Sequence, residues 1–274
     1  MYAKVYVEIT NICNRNCSFC IGTNRPLRRM TLEEFSLVTD KLSGYTKYLY
    51  YHLMGEPTGH PLLPEFIKLT GEKGFRSIVT TNGTLLNQVG DKLLAAGLHK
   101  VNISIHSFED GNEEDHRKYL LDCCRFAKKA AAMGTITVFR LWNEGVDEGK
   151  NSIAEAAIGE FFGDEWAEER RGIRLHDRIY LEYGQRFSWP DLEAEDMGEN
   201  VYCYGLKDQF GILADGTVVP CCLDHNGDLG LGNIFEEELS DILNNPRAET
   251  IRSGFKNRKV TEELCRKCGY ARRF

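Results

Sequence analysis

Residues Val5 to Thr10 alternate β-branched with aromatic or polar side chains, the period-two pattern of a strand. Thr31-Leu32-Glu33-Glu34 then reads as a capping box, opening a helix to about Ser43. This order repeats down the chain. Strands are predicted over Tyr48–Leu53, Arg76–Thr81, Lys100–His106, Thr135–Leu141 and Arg178–Tyr183. Helices are predicted over Pro64–Lys73, Gln88–Ala96, Asn112 to about Met133, and Asn151–Phe162. Gly74, Gly97 and Gly134 stand where helices stop. Asn112, followed by Glu113, Glu114 and Asp115, supplies an N-cap and an acidic first turn.

Six alternations in about 180 residues describe βαβ units around a parallel sheet. Six are too few for a closed eight-fold barrel, so a partial (β/α)6 barrel and an open doubly wound sheet both fit. Either places chemistry at the C-terminal ends of the strands. Residues 184–202 change character: glycines, Pro190 and a run of acids mark a linker or surface loop. Beyond it, Phe210–Leu213 and Thr217–Val219 flank Asp215-Gly216, a β-hairpin signal, and a helix is predicted near Glu236–Leu243. The chain thus divides into a core over residues 1–183 and a smaller unit over 184–274.

Composition narrows the picture. With 42% hydrophobic residues in 274, the chain can bury a core, which rules out disorder. No apolar run approaches the roughly 18 residues of a membrane span. The N-terminus runs into strand-like sequence with no signal peptide, so the expected location is cytoplasmic, with no membrane partner. A net charge of −7 argues against a nucleic-acid surface. There are ten cysteines, too sparse for a disulfide scaffold but strongly grouped. In a reducing compartment, grouped cysteines point to metal.

The cysteines stand at 13, 17, 20, 123, 124, 203, 221, 222, 265 and 268. Cys13-Asn-Arg-Asn-Cys17-Ser-Phe-Cys20 is C-x3-C-x2-C directly after the first strand. Three thiolates this close can hold one corner of a [4Fe–4S] cubane and leave one iron open. A structural zinc site or three unrelated core thiols are the plainer alternatives.

This loop resembles the signature of radical S-adenosylmethionine (SAM) enzymes. The resemblance implies that the open iron chelates the amino and carboxylate groups of SAM. One electron then cleaves SAM to a 5′-deoxyadenosyl radical, which takes a hydrogen atom from substrate. Phe19 occupies the aromatic position before the third cysteine, near the adenine. Met54-Gly55-Glu56-Pro57 is similar to the family's G-G-E-P motif for the SAM amino group, with Met54 in place of the first glycine. Asn82, Ser104, His106 and Arg140 fall at strand ends where the family places SAM contacts. A guanidinium at 140 suits a carboxylate. His106 is also a candidate proton carrier, against the plainer reading of a structural histidine.

Cys203, Gly216-Thr-Val-Val-Pro-Cys221 and Cys265-Arg-Lys-Cys268 resemble the auxiliary-cluster domains called SPASM and twitch. The longer seven-cysteine pattern would next place a cysteine at 274, which is Phe274. One auxiliary [4Fe–4S] cluster with four cysteine ligands is therefore expected, and Cys222 could replace Cys221. Zinc is the alternative metal. Cys123 and Cys124 read as buried, inert thiols.

The resemblance as a whole implies a partial (β/α)6 barrel carrying a small twitch- or SPASM-like iron–sulfur domain. It implies a two-electron oxidation with the auxiliary cluster as electron acceptor. The substrate is either a peptide, as for a maturase, or a small polar metabolite, as for an alcohol dehydrogenase. The reductant would be a flavodoxin or ferredoxin. Asp215, Asp224 and His225 join His106 as candidate catalytic residues, Asp215 reading more simply as a turn residue. A non-catalytic electron-transfer protein and a zinc-stabilised binding module are the alternatives from other classes.

Overall fold

A computed structural model describes residues 1–109, 111–170 and 172–273; Phe274 lies outside the described residues. In chain order the core elements are β1 (Lys4–Val7), α1 (Leu32–Lys41), β2 (Tyr48–Tyr51), α2 (Leu63–Glu72), β3 (Arg76–Thr81), α3 (Leu86–Ala95), β4 (Lys100–Ser104), α4 (Glu113–Ala132), β5 (Ile136–Glu144) and α5 (Lys150–Phe162). A hairpin, β6 (Ala167–Glu169) and β7 (Gly172–His176), precedes β8 (Ile179–Gln185). The C-terminal part holds β9 (Gln209–Ile212), β10 (Thr217–Val219), β11 (Gly232–Asn233), α6 (Leu239–Leu243), α7 (Pro246–Lys256) and α8 (Glu263–Arg266).

Strands β1, β2, β3, β4, β5 and β8 pair in that order, all parallel. These are the six βαβ strands expected from the sequence. The capping boxes at Thr31 and Asn112 both form. The hairpin turn at Asp215-Gly216 forms too: Asp215 accepts from the Thr217 amide at 3.0 Å.

Three expectations are corrected. Arg140 does not end β5, because the strand continues to Glu144 alongside β8. His106 lies beyond β4, in a 3-10 turn over Ile105–Ser107. The late helix begins at Leu239, not Glu236. The β6–β7 hairpin and α7 were not anticipated, although Asn245 followed by Pro246 is a start signal for α7 and Asn245 does cap it, accepting from the Ala248 amide at 2.8 Å. The hairpin of the C-terminal unit also joins the core sheet: β9 pairs parallel with β1, from Lys4 opposite Gln209 to Val7 opposite Ile212. One eleven-stranded sheet therefore runs through both parts of the chain.

The strands alternate between two environments. Val5, Val7, Leu49, Tyr51, Val101, Ile103, Phe139 and Leu141 face outward into the helix layer and are at most 1% exposed. The residues between them, including Tyr6, Tyr50, Thr80, Ser104 and Arg140, face the concave side and line a cavity. Parallel strands buried on both faces read as continuous apolar runs; these instead mix polar and aromatic residues on one face, because that face surrounds a space.

The turn after β2 is fixed by sterics. Gly55 has φ +76°, and a Cβ there would sit 2.4 Å from the Thr10 carbonyl oxygen and 2.8 Å from the Asn11 carbonyl carbon, both backbone atoms. Gly74 has a similar φ of +81° with open space around it. Replacing Gly74 by Ala should cost about 1 kcal/mol for left-handed backbone alone, whereas Gly55→Ala should cost about 3 kcal/mol or more. Thermal midpoints of the two variants test this, and equal shifts would show that the close approach does not constrain the turn.

Candidate active site

The loop after β1 carries Cys13, Cys17 and Cys20. It is pinned at its base. Met30 donates its amide to the Ile9 carbonyl at 2.8 Å, and Arg28 donates its amide to the Asn11 side chain at 2.8 Å. The Glu56 amide bonds the Ile12 carbonyl at 2.9 Å, which brings the Gly55-Glu56-Pro57 turn against the loop. Asn82 donates its side-chain amide to Asn14 at 2.9 Å. Cys13 and Cys20 are exposed and Cys17 is half-buried. Burial, then Glu109, Cys13 and Cys20, push the Cys17 thiol up to about 11. The three thiols thus sit together within electrostatic reach, open on one side, as a three-cysteine cluster site requires. The Cys13 sulfur also accepts the Arg15 amide at 3.4 Å, a bond of the kind that tunes such clusters.

Glu56 is 2% exposed and its carboxylate accepts four protein hydrogen bonds. Thr58 supplies two, from its amide at 2.9 Å and its hydroxyl at 2.6 Å. The Thr81 hydroxyl and the Asn82 amide supply the others, both at 2.7 Å. Oε2 takes only one of the four, so it retains an acceptor position. Burial pushes this carboxyl up, and its donors oppose the shift.

Phe19, Ser104, His106 and Arg140 line the barrel cavity, a space of about 250 Å³. Phe19 lies against His106, with ring centroids 5.0 Å apart. His106 Nδ1 lies 2.9 Å from the Arg140 carbonyl, so that nitrogen carries the proton and Nε2 keeps its lone pair. Burial pushes His106 below the usual imidazole range. Arg140 is paired with Glu182 at 3.1 Å and lies over Trp142 at 4.5 Å.

The other catalytic candidates are placed elsewhere. Asp215 serves the β9–β10 turn. Asp224 lines the four-cysteine cavity and accepts the Asp228 and Leu229 amides, each at 2.9 Å. The His225 carbonyl accepts from Thr23 and Arg25, both at 2.9 Å. None of the three lines the barrel cavity.

Cys203, Cys221, Cys265 and Cys268 surround a second cavity of about 260 Å³. The Gly205 amide bonds the Cys203 sulfur at 3.4 Å, and the Tyr270 and Ala271 amides bond that of Cys268. Burial pushes Cys221 and Cys265 well above the ordinary thiol range, and each feels the charge of the others. Four thiols around a space, with N–H donors on the sulfurs of Cys203 and Cys268, fit a four-iron cluster.

Cys222 faces the other way and lines the barrel cavity, where the Tyr6 hydroxyl bonds its sulfur. Cys123 and Cys124 are buried in α4. Sequence reasoning missed Tyr6, His52, Trp142 and Arg186, all lining the barrel cavity. It also missed Glu8, which is fully buried and paired with Arg25 at 2.7 Å. The available signal was parity: Tyr6 and Glu8, Tyr50 and His52, Arg140 and Trp142 are polar or aromatic residues two apart on strands with an apolar opposite face.

Comparison with known proteins gives the family. The radical SAM superfamily matches residues 7–144, and an iron–sulfur cluster-binding domain of the SPASM type matches residues 203–269. The chain is a member of the radical SAM superfamily, carrying a SPASM iron–sulfur domain. It is 31% identical over 109 residues to the GTP 3',8-cyclase of Chlorobaculum tepidum, a match covering 38% of this chain and 33% of that protein. The matched region thus spans about a third of the length of the curated relatives. BtrN, solved in complex with AdoMet and 2-DOIA, superposes with a TM-score of 0.61 at 18% identity, covering 98% of this chain and 93% of BtrN. anSMEcpe, solved with AdoMet and the Cp18Cys peptide, superposes with a TM-score of 0.59 at 16% identity, covering 98% and 86%. Both are likenesses of fold. No helix among the described residues is long and apolar enough to cross a membrane.

The Glu8–Arg25 pair should be essential to the cysteine loop. Arg25→Met leaves a buried carboxylate without its counter-charge and should cost roughly 3–5 kcal/mol. Adding Glu8→Gln should recover part of that loss. Anaerobic denaturant melts measure both, and a loss below about 1 kcal/mol for Arg25→Met would contradict the assignment.

Proposed function

We propose that this chain is a cytoplasmic radical SAM oxidoreductase that removes two electrons from a small polar metabolite. The core is residues 1–183, and the auxiliary-cluster unit is residues 184–274. Cys13, Cys17 and Cys20 would hold the first [4Fe–4S] cluster, and Cys203, Cys221, Cys265 and Cys268 the second. Phe19, Gly55, Glu56, Pro57, Asn82, Ser104, His106 and Arg140 would hold SAM. When bound, these groups supply hydrogen-atom removal at the strand ends and acceptance of one electron at the second cluster.

The observation that carries this reading is that one cavity is bordered by both cysteine segments, through Phe19 of the first and Cys222 of the second. The three-cysteine loop adjoins its mouth through Phe19, and the four-cysteine cavity lies behind Cys221, beside the cavity-facing Cys222. The substrate would give up one hydrogen atom, one electron and one proton. His106 is the group to take the proton, since its Nδ1–H is engaged by the Arg140 carbonyl and its Nε2 is the ring's acceptor. The aromatic walls would shield the reacting carbon from water. A peptide is the second reading, favoured by the fold shared with anSMEcpe, which was solved with a peptide bound. A flavodoxin or ferredoxin is the proposed reductant.

Reconstituted protein should release 5′-deoxyadenosine from SAM under dithionite. Iron should count about eight per chain, for two four-iron clusters, and about four in Cys268→Ala. That variant should still cleave SAM but form no oxidised product, whereas Cys17→Ala should cleave none. A fully loaded protein that yields no 5′-deoxyadenosine would end the enzyme reading. His106→Asn should lower the ratio of product to 5′-deoxyadenosine by about a hundredfold or more, the usual contribution of a positioned base; an unchanged ratio would remove His106 from that role.

A further inference from the structure

The barrel cavity is lined by charge of one sign. Lys4, Arg140 and Arg186 reach its wall, and among the described residues no aspartate or glutamate does. Glu182, outside the lining, offsets Arg140. Lys4 and Arg186 make no ion pair among the described residues; Arg186 lies over the Phe19 ring at 5.6 Å. Lys4 and Arg186 are exposed, so solvent screens them in part; what they add is a positive potential at the border of a largely aromatic space.

His52 adds a directed donor. It follows β2 and lines the same cavity. Its Nδ1 is sealed from solvent and has no hydrogen-bond partner. A buried acceptor without a partner costs less than a buried N–H without one, so the ring's proton sits on Nε2. Burial, Arg140 and Lys4 push this imidazole down to about 3, so it is neutral and carries one N–H. That N–H has no acceptor among the described residues, and the cavity is the space the ring borders.

We propose that the barrel cavity selects a small organic anion, a carboxylate or phosphate ester, with Lys4 and Arg186 as its counter-charges and the His52 Nε2–H as a donor to it. The inference rests on reading this cavity as the substrate site and names the substrate class. A cationic amine would meet like charges there, and a neutral alcohol would gain nothing from them. Tyr50, Trp142 and Trp189 give the organic body apolar faces to lie against. SAM brings a sulfonium charge of its own, which favours an anion further.

Three probes of one ring shape isolate charge: phenyl phosphate, benzoate and benzamide, titrated by calorimetry into the holoprotein with SAM present. At least one anion should bind about tenfold or more tightly than benzamide, and the tighter of the two identifies the headgroup. Lys4→Met and Arg186→Met should each reduce that preference about fivefold or more, and Arg186→Lys should restore most of it. Iron content and circular dichroism report whether each variant is folded. Benzamide binding as tightly as both anions, a preference untouched by both methionine variants, or no binding of any probe would overturn the proposal. SAM cleavage is read separately on wild-type protein, so its failure would count against the proposed function while the calorimetric ratios still decide the charge preference.

Discussion

A carboxylate with no access to water must have every lone pair answered by a donor, and Glu8 shows what that demand does to a fold. It stands just past the end of β1, fully buried. Arg25 NH2 reaches both its oxygens, at 2.8 and 2.7 Å, and the Met54 and Ala214 amides each donate at 3.1 Å. Burial pushes its carboxyl up and Arg25 is the strongest force holding it down. Those donors come from three separate stretches: the cysteine loop, the turn after β2 and the C-terminal hairpin. Satisfying one buried charge therefore fixes the cysteine loop against the Gly55-Glu56-Pro57 turn and both against the C-terminal unit. Charge pairing alone gives little net stability when desolvation is counted; what it supplies here is a unique arrangement, since any other docking of the three stretches strands the carboxylate.

Much of the fold could be read from sequence because each βαβ unit is punctuated locally. The Thr31 and Asn112 capping boxes, the glycines at helix ends and the Asp215-Gly216 turn are interactions between residues a few positions apart. They leave a signal that needs no tertiary context. The three-cysteine loop is legible for the same reason. What could not be read depends on long-range pairing. That β9 would lie beside β1 is set some 200 residues away in sequence, and so is the bond from the Ala214 amide to Glu8. The extent of β5 past Arg140 is set by its partner β8, not by its own composition.

Histidines 52 and 106 illustrate why chemistry is harder to read than fold. Both line one cavity and both are held neutral by burial. Their roles diverge through a single neighbour each. The Arg140 carbonyl accepts a hydrogen bond from Nδ1–H of His106 and so leaves Nε2 as the ring's acceptor. The absence of any partner at Nδ1 of His52 sends its proton to Nε2 and makes it a donor. Two identical side chains thus present opposite hydrogen-bonding character to one ligand, a difference that no spacing in the sequence encodes.

The adjacent pair Cys221-Cys222 carries the same lesson to the relation between the two cavities. Sequence could not choose between them, because either thiol completes the C-terminal set. The bend and turn that follow β10 separate them. Cys221 faces the cavity of Cys203, Cys265 and Cys268, and Cys222 faces the barrel. Leu223, Gln209 and Tyr270 border both spaces. The two cavities are therefore neighbours across one shared wall, with a segment of the chain forming part of it. The C-terminal unit is thus part of the cavity's construction: the pairing of β9 with β1 sets Gln209 beside Lys4, and Cys222 and Leu223 after β10 complete the same wall.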